Sequence, residues 1–159
     1  MSNSDLIVVG VDGSEGGRHA LRWAVAEGRR TGAAVEAVTA WSWDGIEAAM
    51  LAATSPRIER EQAERVSQHE LDLVLAGAGS SSPVAREVVE GHPVKVLLDA
   101  ARRASLLVLG SHGHGRLRHA VLGSISEECV RHATCPVVVI PLPRHDTETP
   151  NAVAVPAGR

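Results

Sequence analysis

The sequence predicts an α/β fold: an open five-stranded, mostly parallel sheet with helices on both faces, Rossmann-like, in the strand order 3-2-1-4-5. Short apolar runs alternate with stretches of helical periodicity from one end of the chain to the other. The runs Leu6-Ile7-Val8-Val9 and Leu106-Leu107-Val108-Leu109 are apolar throughout, as strands buried on both faces of a parallel sheet must be. Five such strands and four connecting helices account for about the first 140 residues.

Each element has its own signal. The first strand is stopped by Asp12-Gly13-Ser14, and beyond that turn Leu21, Ala24, Val25 and Gly28 recur at helical spacing until Thr31-Gly32. Val35 to Trp41 reads as the second strand, and Trp43 to Ser55 is the least periodic stretch. From about Arg57 a charged helix begins, with Glu59, Arg60, Glu61, Glu64 and Arg65 on a wet face and Gly77 and Gly79 at its end. Val84 to Val89 alternates apolar and polar, the pattern of an edge strand. Gly91-His92-Pro93 opens a helix, with proline well placed at its first position, and Val94, Leu97, Leu98 and Ala101 give it an apolar stripe. Leu106 to Leu109 is the fourth strand and ends in Gly110. A helix from about Gly123 to His132 leads to the last strand, Val137 to Ile140. With no internal repeat, residues 1–140 read as one domain. Residues 141–159, holding four of the 8 prolines, read as a flexible tail outside it.

Composition excludes several function classes. The chain has 159 residues, and 16 basic against 19 acidic residues leave a net charge of -3. Nucleic-acid binding needs a dense basic surface, so no nucleic-acid partner is expected. Three Trp and no Phe or Tyr leave no stacking platform for single strands, and the core must be built from Val, Leu, Ile and Ala. The two cysteines, Cys129 and Cys135, form no CxxC and read as small core hydrophobes. The polar start Met1-Ser2-Asn3-Ser4-Asp5 lacks the features of a signal peptide, and no apolar run approaches the ~18 residues of a membrane span. A cytoplasmic protein with no membrane partner is expected.

In an open α/β sheet, ligands bind beyond the carboxyl ends of the strands. Two such ends carry unusual loops: Gly10-Val11-Asp12-Gly13-Ser14, and Gly110-Ser111-His112-Gly113-His114-Gly115-Arg116, which runs on to Gly123-Ser124 at a helix start. In the order 3-2-1-4-5 these ends flank the switch point. Gly110 and Gly113 would allow positive φ and close backbone approach, and Gly123-Ser124 would offer N–H groups at a helix N-terminus, where the dipole favours an anion. The Ser124 hydroxyl suits a phosphate or a helix cap, and Arg116, Arg118, His114 and His119 add positive or switchable charge. A glycine-rich turn before an ordinary capped helix is the plain alternative. Gly110 and Gly115 have P-loop spacing, but Arg116-Leu117 stands where Lys and Ser or Thr are needed, and the one lysine, Lys95, is elsewhere. A P-loop NTPase is therefore disfavoured, and so is an NAD enzyme, because GxGxxG is missing after the first strand.

Other candidates divide in the same way. Asp12 suits a ligand contact or a turn or helix cap. His112, His114 and His119 have no interleaved carboxylate, so no metal site is expected. Trp41 and Trp43 could cover a base or close the core edge. No catalytic constellation emerges, since neither a nucleophile–base pair nor paired carboxylates can be placed near the loop.

The spacing Gly110-x2-Gly113-x9-Gly123-Ser124, between an apolar strand and a helix, resembles the nucleotide motif of the universal stress proteins. Val9-Gly10-Val11-Asp12-Gly13-Ser14 is similar to that family's first strand and loop, and Ala133-Thr134-Cys135-Pro136-Val137-Val138-Val139-Ile140 to its last strand. The resemblance spans nearly the whole chain except the tail. It implies an adenine nucleotide, usually ATP, with or without Mg²⁺, held across the first and fourth strand ends. Asp12 would then contact the ribose, and Ala40 would meet the adenine through its backbone. Gly110, Gly113, Gly123 and Ser124 would cradle the phosphates, with Ile125 beside them. A homodimer through the last strand is also implied, as is a nucleotide-dependent regulator of the stress response acting on a further partner. The alternatives are a slow ATPase or autophosphorylating enzyme using Ser124 or Ser126, and a sensor of another adenine ligand such as cyclic AMP. Ser105 departs from the Asp that relatives commonly carry before the fourth strand, at the strand end away from the site.

Overall fold

A computed structural model describes residues 5–43, 45, 54–78, 83–114 and 122–143. Most of the aperiodic stretch after Trp43, together with Gly79, residues 115–121 and the tail beyond Pro143, lies outside the described residues. Arg116, Arg118 and His119 are among them.

In chain order the described elements are β1 (Leu6–Gly10), α1 (Glu15–Thr31), β2 (Ala34–Trp41), α2 (Pro56–Gly77), β3 (Val84–Glu90), α3 (Pro93–Ala101), β4 (Leu106–Gly110), α4 (Ser124–His132) and β5 (Val137–Ile140). The sheet runs β3-β2-β1-β4-β5, as the sequence predicts, and every pairing is parallel. β1 is central, with Ile7 opposite Val35 on one side and Leu106 on the other. β3 and β5 form the edges.

The strand alternation sorts residues onto two apolar layers. Ile7 and Val9 pack with Leu21, Val25, Leu71 and Val108 under α1 and α2. Val8 faces the other way, with Val38, Leu97, Leu107 and Cys129 under α3 and α4. Val8, Val9, Leu107 and Val108 are fully buried, which is why those runs carry no polar residue. Trp23 is half-buried against the first layer.

The helix ends follow local chemistry. Ser14, not Asp12, caps α1: its Oγ accepts from the Gly17 amide at 3.1 Å. α1 stops at Gly32, whose φ of 78° is the left-handed conformation that glycine adopts without strain. α2 is capped by Ser55, has Pro56 in its first turn and carries exposed Arg57–Glu61 and Arg60–Glu64 pairs, which make the predicted wet face. Its inner stripe holds a residue that the charged pattern conceals. Glu70 is 2% exposed and receives a bidentate bond from Arg18 of α1, at 2.7 and 2.8 Å. The carboxylate beside it raises the pKa of Arg18, mainly through the hydrogen bond and against the cost of burial. On the opposite face Arg103, just past α3, bonds Glu36 of β2 and Glu87 of β3. The bonds from Arg103 hold Glu36 below the usual carboxylate range, whereas the neighbouring Glu36 carboxylate, with burial, pushes Glu87 up.

Candidate functional site

β1 and β4 are neighbours whose outgoing connections leave on opposite faces of the sheet, α1 with the first apolar layer and α4 with the second. A crevice at their carboxyl ends is the geometric result. Counting the open solvent at its mouth, the crevice spans about 570 Å³. One end is apolar, walled by Val38, Ala40, Pro93, Leu97, Leu109 and Ile125. The other is polar and lined by Asp12, Ser14, Gly17, Gly110, His112 and Gly113.

Five of the seven residues singled out from sequence thus meet on one cleft: Asp12, Ala40, Gly110, Gly113 and Ile125. Gly123 and Ser124 are not among its lining residues; they stand at the head of α4, as N-cap and first helical residue. Ser124 is exposed and caps nothing, so of its two suggested roles the cap is not realised. The Gly123 amide is also not free for an anion. It donates to the Ser111 carbonyl at 2.6 Å, which folds the loop back on the end of β4. The amides of Ser124, Ile125 and Ser126 occupy the first three positions of α4, where the helix itself provides no acceptor. Any anion at this helix would meet those three donors.

Gly110 and Gly113 are needed for closeness rather than for positive φ, which neither adopts. A Cβ on Gly110 would lie 2.5 Å from the Gly16 carbonyl carbon and 2.6 Å from its oxygen. One on Gly16 would collide with the His112 carbonyl oxygen. The first turn of α1 and the end of β4 therefore pack backbone on backbone, and no side chain fits between them. A Cβ on Gly113 would lie 2.7 Å from Asp12 Oδ2. In the loop after β1, Gly13 has a φ of 79°, which lets the chain turn so that Asp12 Oδ1 accepts from both the amide (3.0 Å) and the hydroxyl (2.5 Å) of Ser14. Asp12 thus makes its turn and remains exposed at the cleft; with Oδ1 engaged, Oδ2 is the oxygen open to a ligand hydroxyl.

Two further bonds shape the loop after β4. Ser126 Oγ donates to the Gly110 carbonyl at 2.7 Å, so this buried hydroxyl ties α4 to β4. His114 Nε2 lies 2.6 Å from the Asp12 carbonyl oxygen. Among the described residues no group of three or more His, Cys, Asp or Glu could hold a metal. No helix among them is long and apolar enough to cross a membrane.

The apolar wall supplied by Pro93 and Leu97 was not singled out from sequence. The available signal was positional: Gly91-His92-Pro93 follows the carboxyl end of β3, the same side of the sheet as Ala40. Trp41 and Trp43 are half-buried beyond Ala40 and do not line the cleft; Trp41 accepts the Gly91 amide through its carbonyl at 2.7 Å.

The chain is 31% identical over 164 residues to Universal stress protein Rv1996 of Mycobacterium tuberculosis, with 94% of this chain and 52% of that protein covered. It spans about half the length of the curated relatives it matches. Among solved structures, a universal stress protein in complex with cAMP superposes with a TM-score of 0.67 at 21% identity, covering 87% of this chain and 98% of that one. The universal stress protein of Archaeoglobus fulgidus in complex with dAMP gives 0.59 at 25% identity, over 86% of this chain and 97% of that one. The model of the Universal stress protein family matches residues 4–141, nearly the whole described fold, and the chain belongs to that family.

Proposed function

We propose that this chain binds an adenine nucleotide, ATP first among them, and acts as a nucleotide-dependent regulator in the stress response rather than as a catalyst. The observation that carries the reading is the two-ended cleft. An apolar slot beside the half-buried carboxyl end of β2 suits a base, and a backbone-lined end beside the α4 N-terminus suits phosphates. Adenine would lie between Pro93 and the Ala40 backbone. The ribose would meet Asp12 Oδ2. Gly110 and Gly113 would let the phosphates approach the chain, and the amides of Ser124, Ile125 and Ser126 would receive them. Gly123 contributes by shaping the loop through its bond to Ser111. Asp12 is the one carboxylate in the cleft lining among the described residues, so a Mg²⁺ would arrive on the nucleotide's own phosphates. Two solved relatives of the same fold are complexes with cAMP and dAMP, which supports an adenine ligand.

Among the described residues, the two site hydroxyls that meet a base, Ser14 on Asp12 and Ser111 on His112, are both buried, so retention without turnover is the expected behaviour. Heat release and chromatography of small molecules from the purified protein should recover an adenine nucleotide, and titration calorimetry should show saturable ATP binding. Absence of both would refute the reading. The cyclic AMP reading keeps its own support from the cAMP-bound relative, and competition between ATP and cyclic AMP decides between them. Phosphate release above background that is lost in a Ser124→Ala variant would instead favour the slow enzyme, since Ser124 is exposed while Ser126 is buried and bonded.

The same reading includes a homodimer through β5, whose outer edge has no strand partner among the described residues. It also includes a cytoplasmic location, a regulatory partner recognising the loop after β4, and a nucleotide-binding domain ending near residue 140 with a tail beyond.

A further inference from the structure

We propose that His114 is a positioning residue that ties the loop after β4 to the loop after β1 and so fixes the spacing between the ribose contact at Asp12 and the phosphate-facing loop; this rests on the adenine-nucleotide reading above. The pairing of β1 with β4 ends at Val9 opposite Val108, so strand hydrogen bonds no longer set the spacing where the loops begin. His114 spans that gap, with Nε2 2.6 Å from the Asp12 carbonyl oxygen. A carbonyl only accepts, so Nε2 carries the proton and donates. The bond grips Asp12 at its backbone while Ser14 holds its Oδ1, and Gly113, next to His114, lies against Oδ2 without a side chain. Both loops are thereby fixed around one residue, and Oδ2 stays available.

The consequence is specific to a ligand that reaches both loops. A nucleotide joins a base and a phosphate group by a fixed length, so the second contact forms at an effective concentration set by how well the two half-sites are spaced. Releasing the tie leaves each half-site intact but lets their separation vary. Binding of ATP should suffer, and binding of adenosine should not.

Calorimetric titration of the full chain with ATP and with adenosine tests this in the wild type, His114→Ala and His114→Gln. Gln places an N–H at nearly the reach of His Nε2, so it restores the donor without the ring. The expected result is ATP binding about three- to tenfold weaker in the alanine variant, the range of one lost hydrogen bond. Adenosine affinity should be unchanged, and ATP affinity in the glutamine variant should return to within about twofold of wild type. Unchanged ATP affinity in His114→Ala, equal losses for ATP and adenosine, or no rescue by Gln would overturn the proposal. A second measurement needs no nucleotide: long-range ¹H–¹⁵N spectra should show His114 protonated on Nε2. The Nδ1 tautomer would overturn the tie. Failure of the wild type to bind ATP would instead refute the proposed function, leaving the tautomer to decide on the tie alone.

Discussion

Two glycines of one loop have different reasons to be glycine, and the difference predicts different phenotypes. A methyl on Gly110 meets the backbone of Gly16, which cannot rotate away, so Gly110→Ala should cost about 1–3 kcal/mol of stability by overpacking. A methyl on Gly113 meets a carboxylate oxygen of an exposed side chain, which can move. Gly113→Ala should therefore fold nearly normally while binding ATP about tenfold more weakly, as Asp12 is displaced from the ligand. Denaturant melts and calorimetry on the two variants separate these outcomes. Cys129 gives a pH prediction. Burial, aided by the nearby Glu128, pushes its thiol up to about 11 from an ordinary value of 9.0. The folded state then binds more protons than the unfolded state between those values. Stability is full below about pH 9 and should fall by about 2–3 kcal/mol as pH rises through 11. The chain has no Tyr and a single Lys, so few other groups titrate there, and urea midpoints for wild type and Cys129→Ala should converge with rising pH.

At the scale of elements, the strands were legible because burial on both faces leaves only apolar residues, as Val8, Val9, Leu107 and Val108 show. The edge strand β3 was legible for the opposite reason, its partial exposure admitting Arg86 and Glu87. What pairs a helix with its neighbour was not legible. Glu70 sits among polar residues, Gln68, His69 and Asp72, that do not set it apart from a solvated face, and only the packing of α2 on α1 reveals that it is buried against Arg18. The site shows the same division. The glycine spacing marked the loop, but the engagement of the Gly123 amide by Ser111 depends on a turn whose geometry no residue pattern specifies. The α1–α2 pairing predicts that Glu70→Ala, which leaves the Arg18 charge unpaired, costs about 2 kcal/mol in thermal or chemical denaturation. That is below the full penalty for a buried pair, because the Arg18 side chain is 30% exposed. The exposed Arg57–Glu61 pair should cost less than about 1 kcal/mol to break.

At the scale of the whole molecule, the two sheet edges differ in what they offer a second chain. The carbonyls of Pro136, just before β5, and of Ile140 at its end accept from Leu107 of β4 and from Ser111 just past it, so Val137 and Val139 direct their backbone groups outward. Val139→Pro removes an outward N–H and spares the ladder to β4. If β5 forms the dimer, light scattering should show the wild type at twice the chain mass and Val139→Pro at the chain mass with an unchanged far-ultraviolet spectrum. Loss of folding in that variant, or a dimer that survives it, would place the interface elsewhere.

The placement of the tryptophans gives the molecule separate optical reporters. With no Tyr or Phe, all intrinsic fluorescence comes from Trp23, Trp41 and Trp43. Trp23 lies against the layer under α1 and should register global unfolding. Trp41 directly follows Ala40, at the slot proposed for the base, and should register filling of the cleft by quenching. A Trp23→Leu variant would then darken the unfolding signal yet leave the titration signal, so that occupancy and stability could be followed in one cuvette without a label.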